Sequence, residues 1–243
     1  MMEKPLDSRQ EIFANLDAIE EGIRRAAAAA GRSREEIHLM AVTKTVEPER
    51  VNCAIEYGVK LLGENRAQEL VSKYEAYNRD GVEIHFIGTL QTNKVRQIID
   101  KVSMVESVNS LRLAEEINRL AGSRLGRPMD ILIEVNIGEE ESKSGIAYPQ
   151  AEELVRQAAA MPWLHVRGLM CIPPICETEE QLEGYFEKMH RLFVDIAAKN
   201  IDNVNMDFLS MGMSGDYEAA IRHGANIVRI GSSMFGKRIY KEK

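Results

Sequence analysis

Lys44 is the residue of this chain best placed for covalent chemistry. It closes a short apolar run, Leu39-Met40-Ala41-Val42-Thr43-Lys44, that reads as a first β-strand. An ammonium at the end of a buried strand is costly unless something uses it. Desolvation lowers a lysine's pKa, and the neutral amine condenses with an aldehyde to a Schiff base. The ordinary alternative is a long side chain that snorkels to solvent. A second group of candidates lies near the far end of the chain, in Ser210-Met211-Gly212-Met213-Ser214 and Arg229-Ile230-Gly231-Ser232-Ser233. Glycine allows close backbone approach, serine hydroxyls donate, and a following helix offers free N–H groups, so these segments read as a phosphate cradle. An aldehyde-binding lysine with a phosphate cradle points to pyridoxal 5′-phosphate (PLP).

Other residues refine this chemistry. Arg229 sits within an apolar strand, Ile227-Val228-Arg229-Ile230. A buried guanidinium needs an acceptor. A carboxylate such as Glu134 or Asp207 is one candidate, and the pyridine nitrogen of PLP is the other. Arginine keeps its proton, so it would leave that nitrogen unprotonated. Such a ring is a poor electron sink, and carbanion chemistry on it is weak. Asn65 is equally suited to hydrogen-bonding the cofactor's 3-oxygen or capping a helix. His85 has a possible place beside the ring, although a lone histidine on an apolar strand is more often a satisfied core residue. Lys143 lies in a polar loop, Glu139-Glu140-Glu141-Ser142-Lys143-Ser144-Gly145.

The elements that must position these residues alternate. A helix over 8–30 opens the chain, with Ile12, Leu16, Ile19 and Ile23 at helical spacing and Gly31 as its stop. Strand-like runs follow at 38–44, 60–64, 83–88, 104–108, 130–137, 166–172, 205–211 and 226–230. Helical segments at 47–57, 91–101, 110–121, 149–160 and 214–223 separate them, the third stopping at Gly122. A further helix opens at the capping box of Thr178 and Gln181. Several strands are near-continuous apolar runs, as in a parallel sheet buried on both faces. Eight βα units in roughly 250 residues is the size of a (β/α)8 TIM barrel, and its chemistry sits at the carboxyl ends of the strands. Lys44, Asn65, Ser214 and Gly231 all fall at such ends. An open doubly wound sheet is disfavoured, because Thr43-Lys44-Thr45-Val46-Glu47 stands where a glycine-rich dinucleotide turn would be. The expected organisation is one domain over 1–243, with an N-terminal helix at about 7–30 and a barrel over about 36–238.

Composition narrows the function classes. The 243 residues are 44% hydrophobic and 28% charged, with formal net charge -7. No dense basic cluster interleaved with aromatics suggests nucleic acid as a partner. No apolar stretch approaches the roughly 20 residues of a membrane span, and the N-terminal segment lacks a signal peptide's apolar core. Cys53, Cys171 and Cys176 make an odd, sparse set without zinc spacing, which fits a reducing cytoplasm.

These segments together resemble the YggS/PROSC family of PLP-binding, PLP-homeostasis proteins. The resemblance is carried by Ala41-Val42-Thr43-Lys44, Gly63-Glu64-Asn65, His85-Phe86-Ile87-Gly88-Thr89-Leu90-Gln91-Thr92-Asn93-Lys94, Ser142-Lys143-Ser144-Gly145, Leu169-Met170, Leu209-Ser210-Met211-Gly212-Met213-Ser214 and Val228-Arg229-Ile230-Gly231. They lie in family order over about 38–236. The resemblance implies an alanine-racemase-like barrel with PLP on Lys44 as a Schiff base. It implies phosphate contacts from Ser214, Gly231 and Ser232, with Met213 and Ser233 beside them, and Arg229 facing the pyridine nitrogen. It further implies a carrier or regulator of PLP with no reaction of its own, apo PLP-dependent enzymes as recipients, and a monomer or weak homodimer.

Two catalytic readings compete. A PLP-dependent amino-acid racemase needs a base on each face of the substrate Cα. Related racemases supply the second as a tyrosine from a β-rich domain, and here only a few residues, Tyr240 among them, follow Gly236. A class I aldolase-like barrel would share the lysine and the phosphate site but leave Arg229 without a role.

Overall fold

The computed structural model describes residues 8–140 and 144–236. In chain order its elements are α1 (Ser8–Ala29), β1 (His38–Val42), α2 (Pro48–Tyr57), β2 (Leu61–Glu64), α3 (Ala67–Lys73), β3 (Glu83–Phe86), α4 (Thr92–Ile98), β4 (Met104–Val108), α5 (Leu111–Leu120) and β5 (Met129–Asn136). There follow β6 (Ile146–Ala147), α6 (Ala151–Ala159), β7 (Leu164–Cys171), α7 (Glu179–Ala197), β8 (Val204–Met213), α8 (Tyr217–Arg222), β9 (Ile227–Ile230) and α9 (Ser232–Phe235). The strands pair in parallel in the order β1-β2-β3-β4-β5-β7-β8-β9. β9 then pairs with β1, Leu39 opposite Val228, so the sheet closes into the expected eight-stranded barrel. The two-residue β6 adds to β5 outside the ring.

Strand alternation divides the core in two. Leu39 and Ala41 of β1 belong to the large cluster between barrel and helices. Met40 and Val42 face inward, packed with Leu61, Ile87 and Ile227. Met104, Leu132 and Met170 form a second interior cluster. On the same inward register lie five polar residues, His85, Glu106, Glu134, Ser210 and Arg229, all buried. The barrel is therefore apolar outside its ring and partly polar within it.

Three local expectations change. The chain does not stop at Gly122: a π-helical turn over 121–125 carries it to Gly126, which takes φ +62 as a left-handed cap. Gly122 instead allows close packing, since a Cβ there would lie 2.6 Å from the indole nitrogen of Trp163. The helix expected from Ser214 starts at Tyr217, because the Asp216 carboxylate takes the Met213 N–H and holds 214–216 as a turn. The short α3 and α9 had no counterpart in the pattern. The Thr178 cap forms as expected, its hydroxyl accepting the Gln181 N–H at 3.2 Å.

α1 lies outside the barrel and packs on α2, α8 and α9. Ile12, Leu16 and Ile23 are fully buried beneath it. Its Asn15 amide donates to the Met234 carbonyl at 3.0 Å, and Arg50 of α2 donates to that of Phe235 at 2.8 Å. The carboxyl end of the four-residue α9 is thus satisfied from outside, as so short a helix requires. Leu16→Ala should cost about 2–5 kcal/mol, as deletion of a fully buried leucine does, read as a lower urea midpoint with unchanged slope.

Candidate functional site

A cavity of about 300 Å³ opens at the carboxyl ends of the strands. Its polar wall comes from Lys44, Asn65, Ser214, Arg229, Gly231 and Ser232, and its apolar wall from Val42, Ile87, Ile172 and Met213. The ends of β1, β2, β3, β7, β8 and β9 therefore converge on one space, and six residues singled out in the sequence as cofactor contacts meet there with Met213. Met213 stands at the mouth, 39% exposed.

Lys44 follows β1 in a turn braced from behind. The Thr43 hydroxyl and the Tyr77 phenol donate to the same oxygen of Glu64, at 2.7 and 2.6 Å. Burial raises the Glu64 carboxyl pKa, while the Tyr77 and Thr43 hydrogen bonds work against that rise. Glu64, the residue before Asn65, is thus tied to Thr43, the residue before Lys44. Asn65 Oδ1 is buried with no hydrogen-bond partner among the described residues. Its backbone is set by Gly88, where a Cβ would lie 2.1 Å from the Asn65 carbonyl oxygen.

Arg229 is 4% exposed on the inward face of β9. Its Nη1 donates to Ser210 Oγ at 2.7 Å and its Nη2 to the Cys171 carbonyl at 2.8 Å. Ser210 Oγ donates in turn to Glu106 Oε2 at 2.6 Å, and Glu106 Oε1 meets His85 Nδ1 at 2.7 Å. A polar chain thus descends through the barrel from the cavity floor. Neither carboxylate considered for Arg229 bonds it directly. Asp207 pairs with Arg167 at 2.7 Å. Glu134 accepts from Ser144 at 2.9 Å, and burial raises its pKa against that bond and the charge of Arg229. Ser210, grouped with the cradle in the sequence, belongs instead to this interior chain.

The cradle centres on Ser214. Its Oγ accepts the N–H groups of Gly231 at 3.2 Å and Ser233 at 3.3 Å, and Ser233 Oγ donates to the Ser214 carbonyl at 3.4 Å. Two backbone donors at the start of α9 therefore converge on one oxygen position, as at anion sites. Ser233 shapes this cradle without lining the cavity itself.

His85 lies in the interior chain, 3% exposed, and is not among the cavity-lining residues. Burial opposes its charge, but the hydrogen bonds and then the negative charges of Glu106 and Glu83 outweigh that and raise its pKa. Glu106, Ile87 and Ile172 contribute to the site without a motif of their own in the sequence. The signal for Glu106 was its inward register on β4; for the two isoleucines it was only their place just beyond a strand end. Ser142, Lys143 and Tyr240 lie outside the described residues. Among the described residues no cluster of side chains could hold a metal ion, and no helix is long and apolar enough to cross a membrane.

Fold and site together define a lysine-bearing barrel of the alanine racemase N-terminal domain type, whose family model matches residues 14–239. Two relatives named pyridoxal phosphate homeostasis protein resemble nearly the whole chain. That of Aquifex aeolicus is 42% identical over 93% of this chain and 97% of its own. That of Escherichia coli K12 is 39% identical over 96% and 99%. The chain belongs to the pyridoxal phosphate homeostasis protein family. The solved structure of PipY from Synechococcus elongatus with PLP bound superposes with TM-score 0.76 at 27% identity, over 88% of this chain and all of that one. Alanine racemase from Streptomyces coelicolor shares the fold, with TM-score 0.72 at 17% identity, and this chain spans 58% of its length.

The raised pKa of His85 carries a sign. Its stabilising contribution is fully present below the ordinary histidine value of 6.5 and is lost as pH rises through the raised folded value. The urea midpoint should therefore fall over that window, and His85→Gln should remove that part of the fall.

Proposed function

We propose that this protein holds PLP in the cavity at the carboxyl ends of the strands and serves to store and deliver it, without turning over a substrate. The observation that carries this reading is one amine, Lys44, and one hydrogen-bonded guanidinium, Arg229, in a single cavity with a serine, Ser214, on whose hydroxyl two backbone amides converge. The residues fit the molecule. Its phosphate has the hydroxyls of Ser214 and Ser232, and an oxygen taking the position of Ser214 Oγ would receive the N–H groups of Gly231 and Ser233. Its aldehyde has Lys44. Its ring has apolar neighbours in Val42, Ile87 and Met213, and the orphaned Asn65 Oδ1 is an acceptor for a ring hydroxyl. When bound, PLP supplies an electrophilic aldehyde on an electron-withdrawing ring.

The protein's own groups restrain that chemistry. Arg229 presents donors and has no proton to release, so it leaves a pyridine nitrogen unprotonated. Lys44 and Arg229 are the only ionisable groups among the described residues that line the cavity. Racemisation needs a second base opposite the first. The sparse, odd set of cysteines, Cys53, Cys171 and Cys176, fits a reducing cytoplasm. Apo PLP-dependent enzymes are the recipients this reading implies, with the donor a monomer or weak homodimer.

Purified protein incubated with PLP should absorb in the visible and bleach on borohydride reduction, with the pyridoxyl label on Lys44. Lys44→Ala should weaken binding by about tenfold or more and keep a residual, phosphate-anchored affinity. Equal affinity and an unchanged spectrum in that variant would show the lysine to be misassigned. The loaded protein should not racemise L-alanine above background; rapid formation of D-alanine, abolished by Lys44→Ala, would make it an enzyme.

A further inference from the structure

Lys44 is the second residue of a four-residue turn. The Val46 N–H donates to the Thr43 carbonyl at 3.1 Å, and Thr45, third in the turn, has φ +61. Such a turn requires positive φ at its third position, which glycine or asparagine usually supplies. Thr45 is β-branched, and that region is strained for it. Strain of this kind persists only where surrounding structure enforces it.

The enforcing groups belong to α3. The Glu69 carboxylate accepts the Thr45 N–H. Lys73 Nζ donates to the Val46 carbonyl at 2.6 Å and lies 3.4 Å from that of Thr43. Glu69 and Lys73 also form an ion pair with each other, their side chains only 15% and 13% exposed. The carbonyls at both ends of the turn and the amide within it thus terminate on two side chains one helical turn apart. On the other side, Thr43 is anchored to β2 through its N–H, which donates to the Gly63 carbonyl at 3.1 Å. The turn is gripped from two elements, and Lys44 projects from between them. Neither Glu69 nor Lys73 lines the cavity.

We infer that Glu69 and Lys73 are positioning residues for Lys44. By holding Thr45 in the left-handed conformation they fix the direction in which Lys44 leaves the strand and keep its amine in the cavity. This inference rests on the reading of Lys44 as the amine that takes PLP.

The test compares the rate of PLP capture by the apo protein, followed by visible absorbance, with the melting temperature of each variant. Lys73→Met should slow capture about tenfold or more, since small misplacements of a reacting group carry large rate penalties. Adding Thr45→Gly to Lys73→Met should restore most of the rate, because glycine adopts positive φ unaided. Thr45→Gly alone should capture at close to the wild-type rate. A lower melting temperature with an unchanged capture rate in Lys73→Met would overturn the inference, and so would failure of Thr45→Gly to restore the rate. If Lys73→Met does not fold, Glu69→Gln carries the test. It removes the ion pair yet leaves an oxygen for the Thr45 N–H; a smaller slowing is expected, and an unchanged rate overturns the inference. Reductive labelling of the wild type separates the two readings. A label on another lysine sinks the assignment of Lys44, whereas a label on Lys44 with normal rates in the α3 variants sinks only the clamp.

Discussion

A positive charge inside the barrel is the constraint around which the molecule is arranged. Arg229 stands on an inward position of β9, and a guanidinium without partners there would be prohibitively costly. The interior meets the charge in steps: a hydroxyl on β8, a carbonyl at the end of β7, then a carboxylate on β4 reached through that hydroxyl. His85 on β3 completes the chain. Four strands beyond β9 thus contribute to placing one side chain: β8, β4 and β3 through a polar side chain at an inward register, β7 through a main-chain carbonyl. A slip of one residue in β8, β4 or β3 would turn its polar group out toward the helices.

The division of labour between inside and outside follows from this. The wide apolar cluster between strands and helices supplies most of the burial that stabilises the fold. The interior, being partly polar, contributes less through burial and more through specificity of arrangement. Among the described residues its apolar groups form small clusters around Met40 and Leu132, the first of which reaches the cavity wall through Val42 and Ile87. Outlying elements serve the site from a distance. α1 and α2 satisfy the carbonyl end of α9, α3 grips the turn after β1, and Glu64 with Tyr77 links the ends of β1 and β2.

Much of this was legible in the residues alone. The eight strands were visible as apolar runs, because a strand buried on both faces has little choice of composition. Lys44, Asn65, Ser214 and Gly231 were visible because they break those runs at one end. Arg229 was recognisable as a problem, but its partners were not: Asp207 and Glu134 were the obvious acids, and only the closed barrel shows that Arg167 takes the former while a serine two strands from Glu134 takes Arg229. Ser210 was misplaced because period-2 alternation decides which way it points, and a motif read as a string ignores that alternation. α3 and α9 have seven and four residues, too few for helical periodicity to emerge. Gly122 looked like a stop because glycine often is one; its requirement was the nearness of an indole, which no local pattern encodes.

The closure of β1 against β9 has a consequence for the life of the chain. Lys44 lies within the first fifth of the sequence, whereas Gly231 and Ser233 lie within its last thirteen residues. They become neighbours only when the last strand zips onto the first. During synthesis the amine leaves the ribosome long before the amides that would accompany it, so no nascent fragment carries a complete site. Once the ring is shut, any molecule touching both ends acts as a clasp across that seam, and opening it requires either the molecule's departure or the parting of the two termini of the barrel.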